Sequence, residues 1–383
     1  MQASDLRIAL FSGNYNYVQD GANQALNLLM SHALALGAKV RVYSPTTATP
    51  AFPPTGDLVS VPALPVPGGR GEYRFATGMP AKIRKDLEAF APNLIHCSAP
   101  ELLAHGAIKW AEKNDIPAVA SAQTRFETYP RYYGLRFLEP AVIRMLTRFY
   151  NRFDAVLPTG PMMADLLRSW GVHAPMRIWS RGVNHDRFNL GKRDLAWRRS
   201  LGIADDEIVV GFLGRLVLEK GLDVFSDVMA RLREGNVPHR ALIVGEGPAR
   251  QWFEERLPEG VFVGFQTGED LARAVASMDI FFNPSVTETF GNVTLEAMAS
   301  GLPVVAARTT GPVGLVEENV SGILIEPDDN KGYADAITRL ITDADFRRSA
   351  GAAGHAIAGR FRWDLINQTA IDSYLEAAAR HVR

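Results

Sequence analysis

Short β-rich apolar runs alternate with helix-period stretches along the whole of this 383-residue chain, and that alternation limits the fold more than any other feature. RIALFS (7–12), KVRVYSP (39–45), LIHCS (94–98), AVASAQ (118–123) and AVLPTG (155–160) are expected strands, with amphipathic stretches such as 22–37 and 104–115 between them. Strands separated by helices need right-handed crossovers and so build parallel sheets covered by helices. The pattern restarts after about residue 206, where 208–215, 240–247, 261–265, 279–285, 303–308 and 322–327 are expected strands. A chain this long exceeds a single core. The expectation is an α/β protein of two Rossmann-like, doubly wound domains facing across a cleft, 1–190 and 191–363, with an amphipathic helix at about 364–383 packing back on the first. The polar stretch 180–195 reads as the crossing between them, and the Pro/Gly-rich stretch 52–73 as a loop.

Hydrophobic residues at 47% and charged residues at 22% exclude disorder and collagen-like architecture. One cysteine, Cys97, excludes an intrachain disulfide framework and most structural zinc sites. No apolar run of eighteen residues exists, and the first fifteen residues lack the basic head and long apolar core of a signal peptide, so the expected location is the cytoplasm. The net charge of −1 divides into +6 for residues 1–190 and −7 for the rest. A basic half beside an acidic half reads either as one domain facing an anionic partner or as chance. Nucleic acid is not expected, because no dense Lys/Arg stripe accompanies a recognised module.

The chemistry concentrates in NPSVTETFGNVTLEAMASGLPVVA (283–306). A strand ends near Pro284, a turn follows, and a helix opens near Phe290 and Gly291. The free N–H groups of its first turn, at Gly291, Asn292 and Val293, make an anion site reinforced by the helix dipole. Glu288 precedes the helix, and Glu296 lies about 7.5 Å of helix rise beyond Gly291. A diphosphate at the helix start would have a carboxylate on either side, each able to accept from two neighbouring hydroxyls. Two isolated acids at this spacing would more simply be a capping-region acid and a solvated helix residue.

The segment resembles the E-x7-E signature of retaining GT-B glycosyltransferases of family four, with Glu288, Phe290, Gly291, Glu296, Ala297, Ala299, Gly301, Pro303 and Val304 in the pattern. Within that family it is similar to bacterial mannosyltransferases and sulfolipid-synthase-like members. The resemblance extends over essentially the whole chain. It implies transfer of a hexose from a UDP- or GDP-sugar to a hydroxyl acceptor with retention. Glu288 would orient the sugar, Arg215 and Lys220 in GFLGRLVLEKGLD (211–223) would neutralise the diphosphate, and Glu296 would hold the ribose. Gly214, Thr289, Phe290, Asn292 and Val293 join the donor site by the same match, as does Gly21 in the loop after the first strand. The backbone at Gly264 and Phe265 is the candidate for the base. VGEGPAR (244–250) lacks the third glycine of a dinucleotide fingerprint, so NAD is not expected.

Two positions depart from the family pattern. Gln123 stands where a histidine is usual, which keeps hydrogen bonding and removes a group that titrates near neutrality, and Asn184 stands where Asp is usual. Gln123, His96 and Arg181 are the acceptor-side candidates, with a hydrogen-bonded core role the other reading of His96. Asp343-Ala344-Asp345 spells a metal motif of a different fold, but its place between helical patterns suits helix capping, and no metal or other cofactor is expected. Helix-period residues 138–154 carry Arg144, Arg148 and Arg152 on one face with Phe149, Tyr150 and Phe153 interleaved. This reads either as a surface for anionic lipid, and hence a lipid-linked acceptor at the inner membrane face, or as a solvated arginine face over a normal core. The rival functions are a sugar-nucleotide epimerase on the same fold, a sugar-binding protein, and a catalytically weak homologue.

Overall fold

The structure, a computed structural model, describes residues 1–18, 21–65, 74–128, 130, 135–288 and 290–381. The chain divides into two compact units, Met1–Arg181 with Trp363–Arg383 and Gly182–Arg362. The division falls after Arg181 and not at residue 190, because the intervening segment belongs to the second core. Val183 and Phe188 are buried there, and the Val183 N–H donates to the Phe361 carbonyl at 2.9 Å.

In the first unit, β1 (Arg7–Phe11), β2 (Lys39–Ser44), β3 (Asp57–Ser60), β6 (Leu94–Cys97), β7 (Ala118–Ala122) and β8 (Ala155–Pro158) form one parallel sheet in the order β3-β2-β1-β6-β7-β8. The stretch read as a loop thus holds an edge strand, β3, and most of a hairpin of β4 (Ala63–Pro65) and β5 (Arg74–Ala76); residues 66–73 lie outside the described residues. The second unit repeats the plan. Its strands are β9 (Val209–Leu213), β10 (Arg240–Val244), β11 (Val261–Phe262), β12 (Ile280–Asn283), β13 (Val304–Ala307) and β14 (Gly322–Ile325), ordered β11-β10-β9-β12-β13-β14. In both sheets the chain winds outward from the third strand, then returns to the opposite side. Each sheet therefore has a switch point, β1/β6 in one and β9/β12 in the other, where neighbouring connections leave to opposite sides and open a crevice at the carboxyl ends.

Nearly every residue of β1, β6 to β10, β12 and β13 is buried, as expected of parallel sheets covered on both faces, whereas the edge strands β3 and β11 have no fully buried residue. The last helix, Trp363–His381, packs on the first unit along Gly21–Ala35, where His32 Nε2 meets Gln368 Oε1 at 3.2 Å. Asn367 Oδ1 accepts from the Trp179 indole at 3.2 Å in the same seam. In the helix Glu139–Tyr150, Phe149 and Tyr150 are buried in the core together with Phe153 beyond its end, so the aromatics are not interleaved with arginines on the surface. Asp343 caps the helix Ala344–Ala358, its Oδ1 accepting from the Phe346 N–H at 2.9 Å.

Candidate active site

Several residues of the second unit that were expected to meet the donor stand on the two loops where its sheet switches direction. β9 runs out at Leu213 into Gly214 and Arg215, and a short 3-10 turn, Leu218–Lys220, precedes the helix Leu222–Glu234. β12 runs out at Asn283, whose buried amide shapes the turn that follows: Oδ1 accepts from the Ser285 N–H at 3.2 Å, and Nδ2 donates to Thr294 Oγ1 at 3.1 Å. Thr287 Oγ1 donates to the Glu219 carbonyl at 3.4 Å, tying this turn to the one after β9. The two loops then share an ion pair, Lys220 Nζ to Glu288 Oε1 at 2.7 Å, with both side chains largely out of solvent. Arg215 beside it is exposed and makes no ion pair among the described residues. Thr289 lies outside the described residues.

Gly291 caps the helix Asn292–Ala299 with φ 93 and ψ 56, a left-handed conformation that a side chain would resist. No side chain among the described residues caps this helix, so its first-turn N–H groups, those of Asn292 and Val293 among them, form a candidate anion site. Asn292 Oδ1 is buried with no hydrogen-bond partner among the described residues. Phe290 packs edge-on against Phe361, fixing the turn from behind. Farther along, loss of solvent pushes the Glu296 carboxyl up to about 8, partly offset by the Arg187 charge. Such a carboxyl can both donate and accept a hydrogen bond near neutrality, which suits a diol.

The neighbouring strand ends are drawn close by backbone contact. The Gly214 N–H donates to the Val244 carbonyl at 3.0 Å, and the Gly245 N–H to the Gly264 carbonyl at 2.9 Å. A Cβ on Gly245 would lie 1.9 Å from the Gly214 carbonyl oxygen, so only glycine permits this approach. Beside Gly264, the Phe265 ring is 66% exposed, an apolar face available for stacking. Glu246 and Arg250, paired with each other next to Gly264, were not singled out by sequence reasoning. Nor were Arg187 and Asn283, although both stand inside segments that carried the motif match.

In the first unit, Gly21 opens the helix Gly21–Ala35 after β1. Gln123 and Arg181 are brought together: Gln123 Oε1 accepts from Arg181 at 2.5 Å, and its Nε2 donates to Ser121 Oγ at 2.9 Å. Arg181 also lies over the Trp179 ring at 5.2 Å. Gln123 is thus a structural partner of a buried guanidinium. His96, the other candidate, takes the hydrogen-bonded core place that was its second reading. It is fully buried in β6, its Nδ1 bonded to the Tyr374 hydroxyl at 2.7 Å, and burial pushes its pKa down to about 3.

Models of two families match the chain, Glycosyltransferase Family 4 over residues 19–187 and Glycosyl transferases group 1 over 207–343. A GDP-mannose-dependent alpha-mannosyltransferase of Corynebacterium glutamicum is 32% identical over 76% of this chain and 70% of its own. The chain belongs to the family 4 glycosyltransferases. A protein of the same description from Mycolicibacterium smegmatis is 30% identical over 96% of this glycosyltransferase and 97% of its own length. The sucrose-phosphate synthase of Thermosynechococcus elongatus superposes with a TM-score of 0.78 at 21% identity, covering 97% of this chain and 99% of that one. The fold is GT-B, and the donor of this glycosyltransferase is a nucleotide-sugar.

Proposed function

We propose that this glycosyltransferase moves a hexose from a GDP- or UDP-sugar to a hydroxyl with retention of anomeric configuration. The observation that carries the reading is the Lys220–Glu288 pair beside the uncapped helix start at Gly291. A diphosphate at that start meets the N–H groups of Asn292 and Val293, the Lys220 ammonium and the exposed Arg215, which together offset its charge as it departs. Glu288, released in part from Lys220, accepts from the sugar hydroxyls. Glu296 takes the ribose diol, and Phe265 with the Gly264 backbone takes the base. The acceptor oxygen bonds to the anomeric carbon as the bond from that carbon to the diphosphate breaks, on the same face. The hydroxyl proton passes to the departing phosphate oxygen. These cations make a metal unnecessary, and transfer should persist in EDTA. GDP-mannose is the first donor to test, since two relatives with 30% or greater identity are described as dependent on it. Incubation with GDP-mannose and UDP-glucose, followed by NMR of the product anomer, tests the reading. An inverted product removes retention, and free epimerised donor with no acceptor present favours the epimerase.

The reading extends to a lipid-linked acceptor at the inner face of a membrane. Arg144 and Arg148 on the helix Glu139–Tyr150 are exposed and form no ion pair among the described residues. With His105 and Met145 they line a groove of about 370 Å³, and Phe137, 75% exposed, stands just before that helix. Cations mixed with exposed apolar groups suit an anionic bilayer. Flotation with phosphatidylglycerol vesicles should carry the wild type and leave R144E/R148E behind. Equal flotation of both removes the membrane contact.

A further inference from the structure

Glu101 is a titratable group whose carboxyl finds no partner among the described residues of the first unit. It stands just past β6 and immediately before the helix Leu102–Lys113, yet its side chain makes no capping bond to that helix. Its carboxyl is laid across Gly13, which follows β1: a Cβ there would fall 1.8 and 2.1 Å from the two carboxyl oxygens. Oε2 is buried and has no hydrogen-bond partner among the described residues. The residue as a whole keeps partial exposure, so the corner is not sealed. Beside it, Ser98 Oγ donates to Ser12 Oγ at 2.9 Å, and Ser12 Oγ to the Asn14 carbonyl at 2.6 Å.

The location matters as much as the missing partner. β1 and β6 are the switch point of the first sheet, as β9 and β12 are of the second. In the second unit the carboxylate beyond β12, Glu288, is met by Lys220 from beyond β9. In the first unit the carboxyl beyond β6 lies over a glycine, and no cation among the described residues pairs with it. Lost solvent pushes it up to about 7. A buried carboxyl without a donor opposes folding, and a neutral side chain would serve the fold better. Its unmet accepting capacity is explained by a ligand that brings hydroxyl donors, and a carboxylate accepts best from two on adjacent carbons.

We infer that the Glu101 carboxyl, shelved on Gly13 at the first sheet's switch point, binds a vicinal diol of the acceptor. The inference rests on the transferase reading for the word acceptor, and on the geometry alone for the diol. The full-length chain should be titrated by thermal shift and calorimetry with myo-inositol and methyl α-D-mannopyranoside, with cyclohexanol as the probe lacking a diol. GDP and UDP are titrated in parallel. Diol probes should bind the wild type and cyclohexanol should not. E101A should weaken diol binding tenfold or more while changing nucleotide affinity less than twofold. G13A supplies a second variant, because its methyl group must push the flexible carboxyl off the shelf and should weaken diol binding comparably. Diol affinity unchanged in E101A, or no diol binding to the wild type, overturns the inference. A wild type that binds diols but neither nucleotide keeps the assignment of Glu101 and removes the transferase reading instead.

Discussion

Lys220 and Glu288 hold each other at 2.7 Å, and the pair belongs to ligand binding more than to stability. Both side chains keep some solvent contact, where an ion pair contributes on the order of 1 kcal/mol or less. K220A should therefore leave the denaturation midpoint nearly unchanged while lowering GDP and UDP affinity tenfold or more by calorimetry. Glu101 differs in that its own proton also bears on stability. Its carboxyl is raised from 4.5 to about 7, so the folded chain holds this proton more tightly than the unfolded one. The stability this contributes is present at low pH, declines as pH rises past 4.5, and is fully lost above about 7. That window corresponds to on the order of 3 kcal/mol. E101Q should gain on the wild type as pH rises, with the gap in urea-denaturation free energy smallest at pH 5 and largest at pH 8. A constant gap would mean the carboxyl is solvated.

At the scale of elements, each expected strand was correctly placed, but its carboxyl end was drawn too far. GFLGR, VGEG and FNPS continue the apolar run in sequence, yet the sheet stops at Leu213, Val244 and Asn283. The residues beyond leave the ladder because glycine contacts and the Asn283 turn redirect them into the site. A linear pattern does not register that backbone approach. β3 escaped notice because its four residues follow a Pro/Gly cluster and are only half buried on the sheet edge. The helix Glu139–Tyr150 was more legible than its reading: Leu146, Phe149, Tyr150 and Phe153 recur at the spacing of one buried face. The contact between β9 and β10 gives a direct test. G245A would set a methyl against the Gly214 carbonyl, and should cost about 3 kcal/mol in chemical denaturation together with weakened nucleotide binding. The seam between β6 and the last helix gives another. Y374F leaves buried His96 without its hydroxyl partner and should cost about 1–3 kcal/mol, with nucleotide binding intact.

For the molecule as a whole, strand–helix alternation was enough to indicate two parallel α/β units, and the segment Glu288 to Glu296 was enough to indicate donor chemistry. The acceptor side was not legible in the same way. Its candidates were chosen by position in a family pattern, and the structure adds only that His96 and Gln123 hydrogen-bond to Tyr374 and Arg181. Glu101 carried no motif and emerged only from what lies over Gly13. The first unit is assembled from two stretches separated by the whole of the second, and this sets an order on synthesis. As the chain leaves the ribosome, Gly182–Arg362 can close its sheet while the earlier unit still waits for the helix Trp363–His381 to cover Trp179, His96 and Gly21–Ala35. A chain stopped at Arg362 should expose that seam to protease and yield Gly182–Arg362 as the resistant fragment in limited proteolysis. The half that emerges first is thus the half completed last.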